Sequence, residues 1–239
     1  MLTLKSFKYS ERGNEVSLTL DTDAGEASYT LTANSFASLT RSLGYSIELM
    51  RPPLALPDEC MPQITRDAER LSCNKKGLLL LSYGPCSSRM LRDKLRRAGF
   101  SDAAADFTVG YLSDRHAIDD LGYARARALA LKERKSYGRR RIEQDLYTRG
   151  IPREVIREAL DSPEFADFNT ELDARLRKKY TPESLRDPDL KRRAVAALMR
   201  QGFAYGEIKE ALERFTSAEV DFDETEFDGA DGAEEETEN

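Results

Sequence analysis

Tryptophan is absent from the 239 residues, histidine occurs once (His116), and cysteine three times, at Cys60, Cys73 and Cys86. An odd cysteine count without a CxxC pair argues against a disulfide framework and against a closed zinc site, so ordinary reduced thiols are expected. A single histidine leaves little room for imidazole-based metal or triad chemistry. No apolar run approaches bilayer-spanning length, and the opening MLTLKSFKYSERGN has no apolar stretch of signal-peptide length. A cytoplasmic protein with no membrane role is therefore expected. The phosphate-loop, GxGxxG, HExxH and GxSxG signatures are missing as well. Neither a cofactor nor a metal is called for, and the expectation is a protein that is not an enzyme.

Charge is abundant: 33% of the residues are charged, against 8% aromatic. The net charge of −6 averages over unlike segments. Residues 219–239 hold eleven of the 43 acidic residues and no Lys or Arg, which leaves residues 1–218 with a net charge of +5. Residues 125–157 carry eleven Lys or Arg against four Asp or Glu, a net of +7. A mildly basic body with one strongly basic segment thus bears an acidic tail, for which disorder is expected.

The first thirty residues alternate with period two. Leu2 and Leu4, then Val16, Leu18 and Leu20, then Ala27, Tyr29 and Leu31 read as a three-stranded meander with turns at residues 11–14 and 21–25. Residues 34–39 suit a short helix, and RPPLALP, ending at Pro57, reads as a break and a boundary. Beyond residue 60 the chain reads as helical. An apolar stripe runs through Ile64, Ala68, Leu71 and Leu78–Leu81, Ser87 is a plausible N-cap, and Gly99 marks a helix end. A helix over 119–135 is expected to bury Tyr123, Ala126, Ala130 and Leu131. A short basic helix over 139–149 follows, ending at Gly150.

Residues 90–112 align with residues 141–160 at an offset of 51, placing Leu91 on Ile142, Leu95 on Leu146, Gly99 on Gly150 and Phe100 on Ile151. A third partial copy, EIKEALERF, sets Ile208 and Leu212 over Ile142 and Leu146 at an offset of 66. Short helix, Gly turn, short helix, repeated, is how a helical array is built, each unit burying its apolar face against the next. The expected fold is mostly α, preceded by a small β-rich N-terminal domain. The expected divisions are 1–57 (β-rich), 60–118, 119–165 and 166–218 (helical repeats), and 219–239 (acidic tail).

The adjacent carboxylates Asp119 and Asp120 do not face each other on a helix, and they read as helix-start residues rather than as a metal pair. The basic run is different in kind. Lys132, Arg134, Lys135, Arg139, Arg140 and Arg141 crowd the junction Ser136-Tyr137-Gly138, and Arg149, Arg153 and Arg157 extend it. Cations this dense repel one another unless an acidic partner meets them, either a phosphate backbone or an acidic protein surface. A stand-alone helix-turn-helix DNA-binding regulator fits the same form and remains the alternative.

The segment 110–160 resembles the RecX family, bacterial regulators of the RecA recombinase. The resemblance is carried by Ile118-Asp119-Asp120 followed by Tyr123-Ala124, by Lys135-Ser136-Tyr137-Gly138-Arg139, by Ile142 and Leu146, and by Arg149-Gly150-Ile151. Residues 80–95 look like the family's first repeat and 178–212 like its last. Gly122, Ser88 and Met90 depart from the family pattern, as does the acidic tail. The resemblance implies tandem three-helix repeats in an elongated curved array, a monomer that binds the RecA filament on single-stranded DNA. It also implies restraint of recombinase, ATPase and coprotease activity, and contacts to DNA phosphates. ATP would belong to the partner. In this reading the nine cations named above are partner or DNA contacts, and Asp119, Asp120, Tyr123, Gly138, Ile142, Leu146 and Gly150 carry the motif's structure.

Overall fold

The structure, a computed structural model, describes residues 2–217; the acidic tail lies outside the described residues. The chain forms two compact units, which divide between Asp120 and Leu121.

The first unit opens with strands β1 (Leu2–Tyr9), β2 (Glu15–Thr22) and β3 (Gly25–Thr32), as the alternation requires. A fourth strand, β4 (Leu54–Leu56), lies in the segment read from sequence as a break. It pairs antiparallel with the outer edge of β1, giving the order β3-β2-β1-β4. Prolines on both sides confined the reading to a boundary, but a three-residue edge strand between prolines needs few backbone donors. Between Leu4 and Ser6 the β1–β2 register slips by one residue, so the inward sequence passes from Leu4 to Phe7. One face buries Leu2, Leu4, Val16, Leu18, Leu20 and Leu31 beneath α1 (Ala33–Ser42), which contributes Phe36 and Leu39. Thr32 caps α1 by accepting the Ser35 N–H at 3.0 Å.

Helix α2 (Met61–Ser82) serves two cores. Ile64 closes the sheet's core, and nine residues later Cys73 enters a second core formed with α3 (Ser88–Arg97) and α4 (Asp102–Ser113). Leu78 and Leu79 are exposed, so the expected apolar stripe narrows at the helix end to Leu80 and Leu81. The three cysteines are free and buried, and burial pushes each thiol above its ordinary pKa.

The second unit contains α5 (Asp120–Lys135) from Leu121 onward, its first residue Asp120 belonging to the first unit, and α6 (Arg139–Thr148), α7 (Arg153–Leu160), α8 (Asn169–Lys179), α9 (Pro188–Arg200) and α10 (Tyr205–Ser217). Its core includes Ile142, Leu146, Leu172, Leu176, Phe203, Ile208 and Leu212. Helix α5 buries Ala124, Ala128 and Leu131, whereas Ala126 is exposed. The alanines of YARARALAL occupy several helical phases, and only packing selects among them.

Three helix ends share one geometry. Gly99, Gly150 and Gly202 have φ values of 95°, 77° and 97°. After each, the next N–H reaches back to the carbonyl of a buried leucine: Phe100 to Leu95 at 3.3 Å, Ile151 to Leu146 at 3.2 Å, and Phe203 to Leu198 at 3.4 Å. This is a Schellman end, and its left-handed position favours glycine. It also corrects the register of the third copy. Gly202 follows Gly150 by 52 residues, so α10 corresponds to α7 rather than α6, and Ile208 and Leu212 match Ile156 and Leu160. The offset of 66 had matched only leucine spacing, which every amphipathic helix shares.

Gly138 is required for a different reason from Gly150. Its φ is −74°, ordinary for any residue. A Cβ there would lie 2.5 Å from Gly202 C and from Phe203 N, both backbone atoms. Gly138→Ala is accordingly expected to destabilise the second unit by about 2–4 kcal/mol, the cost of overpacking against backbone that cannot yield. Gly150→Ala, a strain confined to one left-handed residue, should cost about 1 kcal/mol. Urea unfolding monitored by circular dichroism distinguishes the two. Equal costs would show that close approach at Gly138 is relieved elsewhere.

Candidate functional site

The basic segment falls on the end of α5, on α6 and on α7. Helix α5 stops where Ser136 turns left-handed at φ 47°. The last carbonyls are met by Arg175 of α8, whose Nε donates to Ser136 O at 2.8 Å and whose second nitrogen donates to Lys135 O. The first turn of α6 is held by α9: Gly138 N–H donates to Gln201 O at 2.9 Å and Arg140 N–H to Gly202 O at 3.1 Å. The sequence places Arg140, Arg141, Gln144 and Tyr147 along α6 and Arg153 and Arg157 one turn apart on α7.

The nine cations singled out from sequence do not form one surface. Lys132 is mostly buried; its ammonium donates to Glu164 O at 2.6 Å, stands 3.9 Å from Glu171, and faces the Phe168 ring at 5.0 Å. Arg139 joins α6 to the end of α7, donating to Glu143 at 3.2 Å and to Leu160 O and Asp161 at 2.8 Å each. Arg149 donates to Asp145 at 2.7 Å and to the Tyr123 hydroxyl at 3.4 Å. These three are tied up within the unit. By contrast, Arg134, Lys135, Arg140, Arg141, Arg153 and Arg157 have no carboxylate partner among the described residues.

Arg140, Arg153 and Arg157 meet at an open cleft between α6 and α7, about 460 Å³ in volume, which Gln144, Tyr147 and Ile156 also line. Arg153 stands over the Tyr147 ring at 5.6 Å. Arg139 and Glu143 close one wall as a neutral pair, so the cleft's net charge comes from the three remaining guanidiniums. On the other flank of α6, a second hollow of about 370 Å³ is lined by Lys135, Tyr137, Arg141 and Gln144. Arg141 faces the Tyr137 ring there at 5.6 Å. The arrangement can hold anions through charge-assisted hydrogen bonds and offers aromatic rings beside them. Among the described residues no group of three His, Cys, Asp or Glu could hold a metal ion, and no helix is long and apolar enough to cross a membrane.

The sequence reading passed over Arg127, Tyr147, Gln144 and Arg175. Tyr147 and Gln144 had a signal, since 140, 144 and 147 recur at helical spacing. Arg127 had none: its bidentate pair with Asp145, at 3.0 and 3.1 Å, bridges α5 to α6 across 18 residues. The motif residues also acquire places. Ile142 and Leu146 are fully buried, and Asp120 accepts the Ser88 N–H at 2.8 Å. Asp120 thus serves the N-terminus of α3, whose side-chain cap is Ser87. Ser88 contributes through its backbone, which makes its side-chain departure inconsequential at this contact.

The model of the second three-helix domain of RecX matches residues 119–160. The regulatory protein RecX of Bacillus licheniformis is 29% identical over 163 residues, 68% of this chain and 58% of that protein. The RecX of Clostridioides difficile is 26% identical over 195 residues, 79% of this chain and 87% of the relative. The chain is thus similar to RecX regulatory proteins over most of its length, and residues 119–160 match the second RecX domain. A crystal structure of regulatory protein RecX shares the fold, with a TM-score of 0.63 at 19% identity over 88% of this chain and all of the other. The segment matching the RecX domain model begins at the Asp119-Asp120 pair and ends with α7, so it contains the cleft entire.

Asp145 ties that domain together. Burial pushes its carboxyl up, but hydrogen bonds from Arg127 and Arg149 outweigh this and hold it below its ordinary value. A depressed carboxylate contributes stability above its unfolded pKa of about 3.9 and loses it as pH falls through the lower folded value. Asp145→Asn is therefore expected to cost about 1–2 kcal/mol at pH 7, discounted for partial exposure. The difference from the parent should shrink as pH drops below about 4. Urea unfolding from pH 7 to pH 3 measures it, and a pH-independent difference would remove Asp145 ionisation as the cause.

Proposed function

We propose that this chain is a non-enzymatic, cytoplasmic regulator that binds the RecA filament on single-stranded DNA and restrains its recombinase, ATPase and coprotease activities. Similarity to RecX regulatory proteins supports the regulatory role. The observation that carries the mode of binding is the set of cations on α6 and α7, with Arg140, Arg141, Arg153 and Arg157 lacking carboxylate partners among the described residues. Arginine forks suit phosphate oxygens and carboxylates alike, and a filament displays both, one on its DNA and the other on its protein. The rings of Tyr147 and Tyr137 lie beside these forks, as on surfaces that follow a single strand.

The six cations without a carboxylate partner among the described residues form the proposed contact set, in place of all nine. Lys132, Arg139 and Arg149 are assigned to the integrity of the unit. The split has a direct consequence. Reversing Arg140, Arg153 and Arg157 to Glu together is expected to weaken filament binding by at least about tenfold at moderate salt and to leave helicity intact. Arg139→Ala should instead lower stability by about 1–2 kcal/mol, because Leu160 O, Glu143 and Asp161 lose their shared donor. RecA-dependent ATP hydrolysis on single-stranded DNA, with and without stoichiometric protein, tests the function itself. No effect on a cognate RecA would overturn the proposal, and tight sequence-selective duplex binding without RecA would replace it with the helix-turn-helix reading.

A further inference from the structure

The cleft between α6 and α7 is cationic, and the same chain carries a polyanion. We infer that the acidic segment 219–239 docks in the cleft of Arg140, Tyr147, Arg153 and Arg157 in its own molecule and competes there with external anions. Charge is the first ground. The cleft's three guanidiniums have no carboxylate partner among the described residues, and the same chain holds a segment of eleven carboxylates with no Lys or Arg. The apolar content matches as well. Phe222 and Phe227 interrupt the acidic run, and the cleft offers the half-exposed Tyr147 ring and the Ile156 side chain between its guanidiniums. An acidic segment with spaced aromatics suits such a lining better than one of carboxylates alone, because ring burial adds to a screened attraction.

Reach is the third ground. The described chain ends at Ser217 on α10, in the unit that holds the cleft. The 22 residues beyond it span on the order of 70 Å when extended, whereas a compact unit of this size has a radius of gyration of roughly 13 Å. Tethering makes the encounter intramolecular, with an effective concentration in the millimolar range even where each charge pair is weak. An external strand or acidic protein surface must then displace the segment before it gains the cleft. This inference does not depend on RecA being the partner, since its test needs only this chain and an oligonucleotide.

The native cysteines are all buried, so a single Ala230→Cys in the full chain can carry a nitroxide spin label selectively. Paramagnetic broadening of backbone amides should concentrate at residues 140–157 and be absent from labelled protein mixed with unlabelled isotopic protein. In the same chain, Arg140, Arg153 and Arg157 reversed to Glu should reduce that broadening about tenfold, the effect of losing three exposed charge pairs on a tethered equilibrium. Saturating oligothymidylate should release the label from the cleft. Replacing the acidic residues of 219–228 by Asn or Gln, with Phe222 and Phe227 kept, should also release it. Broadening spread evenly over the second unit, broadening only between molecules, or none at all would overturn the docking. Broadening that persists under oligothymidylate would overturn the competition.

Discussion

A helix ends with unpaired carbonyls and begins with unpaired N–H groups, and in the second unit these two deficits meet. The end of α9 offers Gln201 O and Gly202 O, and the start of α6 brings Gly138 N–H and Arg140 N–H to within 2.9 and 3.1 Å of them. Each helix caps the other, with their dipoles head to tail. The contact is backbone on backbone, so neither partner tolerates a Cβ, and both positions are glycine. Side-chain caps are lacking at α6 because the neighbouring helix end takes their place. The position of α6, and with it every cation on that helix, follows from this joint.

The joint also shapes what the cationic surface can be. A free helix N-terminus is a ready anion site, but that of α6 is occupied by carbonyls. Anions must therefore be gathered by side chains, from the flank of α6 and from α7. Arginine can do this at longer range and with a fork, and two of these arginines, Arg141 and Arg153, lie over tyrosine rings. Arg175 shows the same residue type in the opposite service, closing off the carbonyls at the end of α5.

Much of the fold could be read from the sequence because its cues are local. Alternation set β1 to β3, and glycine followed by an apolar residue marked the helix ends at Gly99 and Gly150. The failures came where the deciding fact was distant. The short strand β4 exists only because β1 has a free edge to receive it. The phase of α5 was open among its alanines until the core chose Ala124, Ala128 and Leu131. The register of the third copy was misplaced because leucine spacing was weighed above the left-handed glycine, although Gly202-Phe203 carries the same local sign as Gly99-Phe100. Gly138 stood out only as a motif residue, because the backbone that requires it to be glycine lies 64 residues away.

The site was legible as a charge density but not as a surface. Counting cations in residues 125–157 measures how many guanidiniums are present and says nothing about which are already engaged. Arg139 and Arg149 sit four residues from Glu143 and Asp145, in opposite directions, so local spacing hints that they are paired. Arg127 and Lys132 give no such hint, since their partners lie on other helices. A dense basic run in a helical repeat therefore has two populations: one neutralises helix ends and buried carboxylates so that the repeats can pack, and the other is held outward by that packing. The first population makes the second useful, because cations kept on rigid helices lose less entropy on meeting a phosphate than the same charges on a loose chain. Removing the engaged arginines would abolish the surface as surely as removing the free ones, but through stability rather than through recognition.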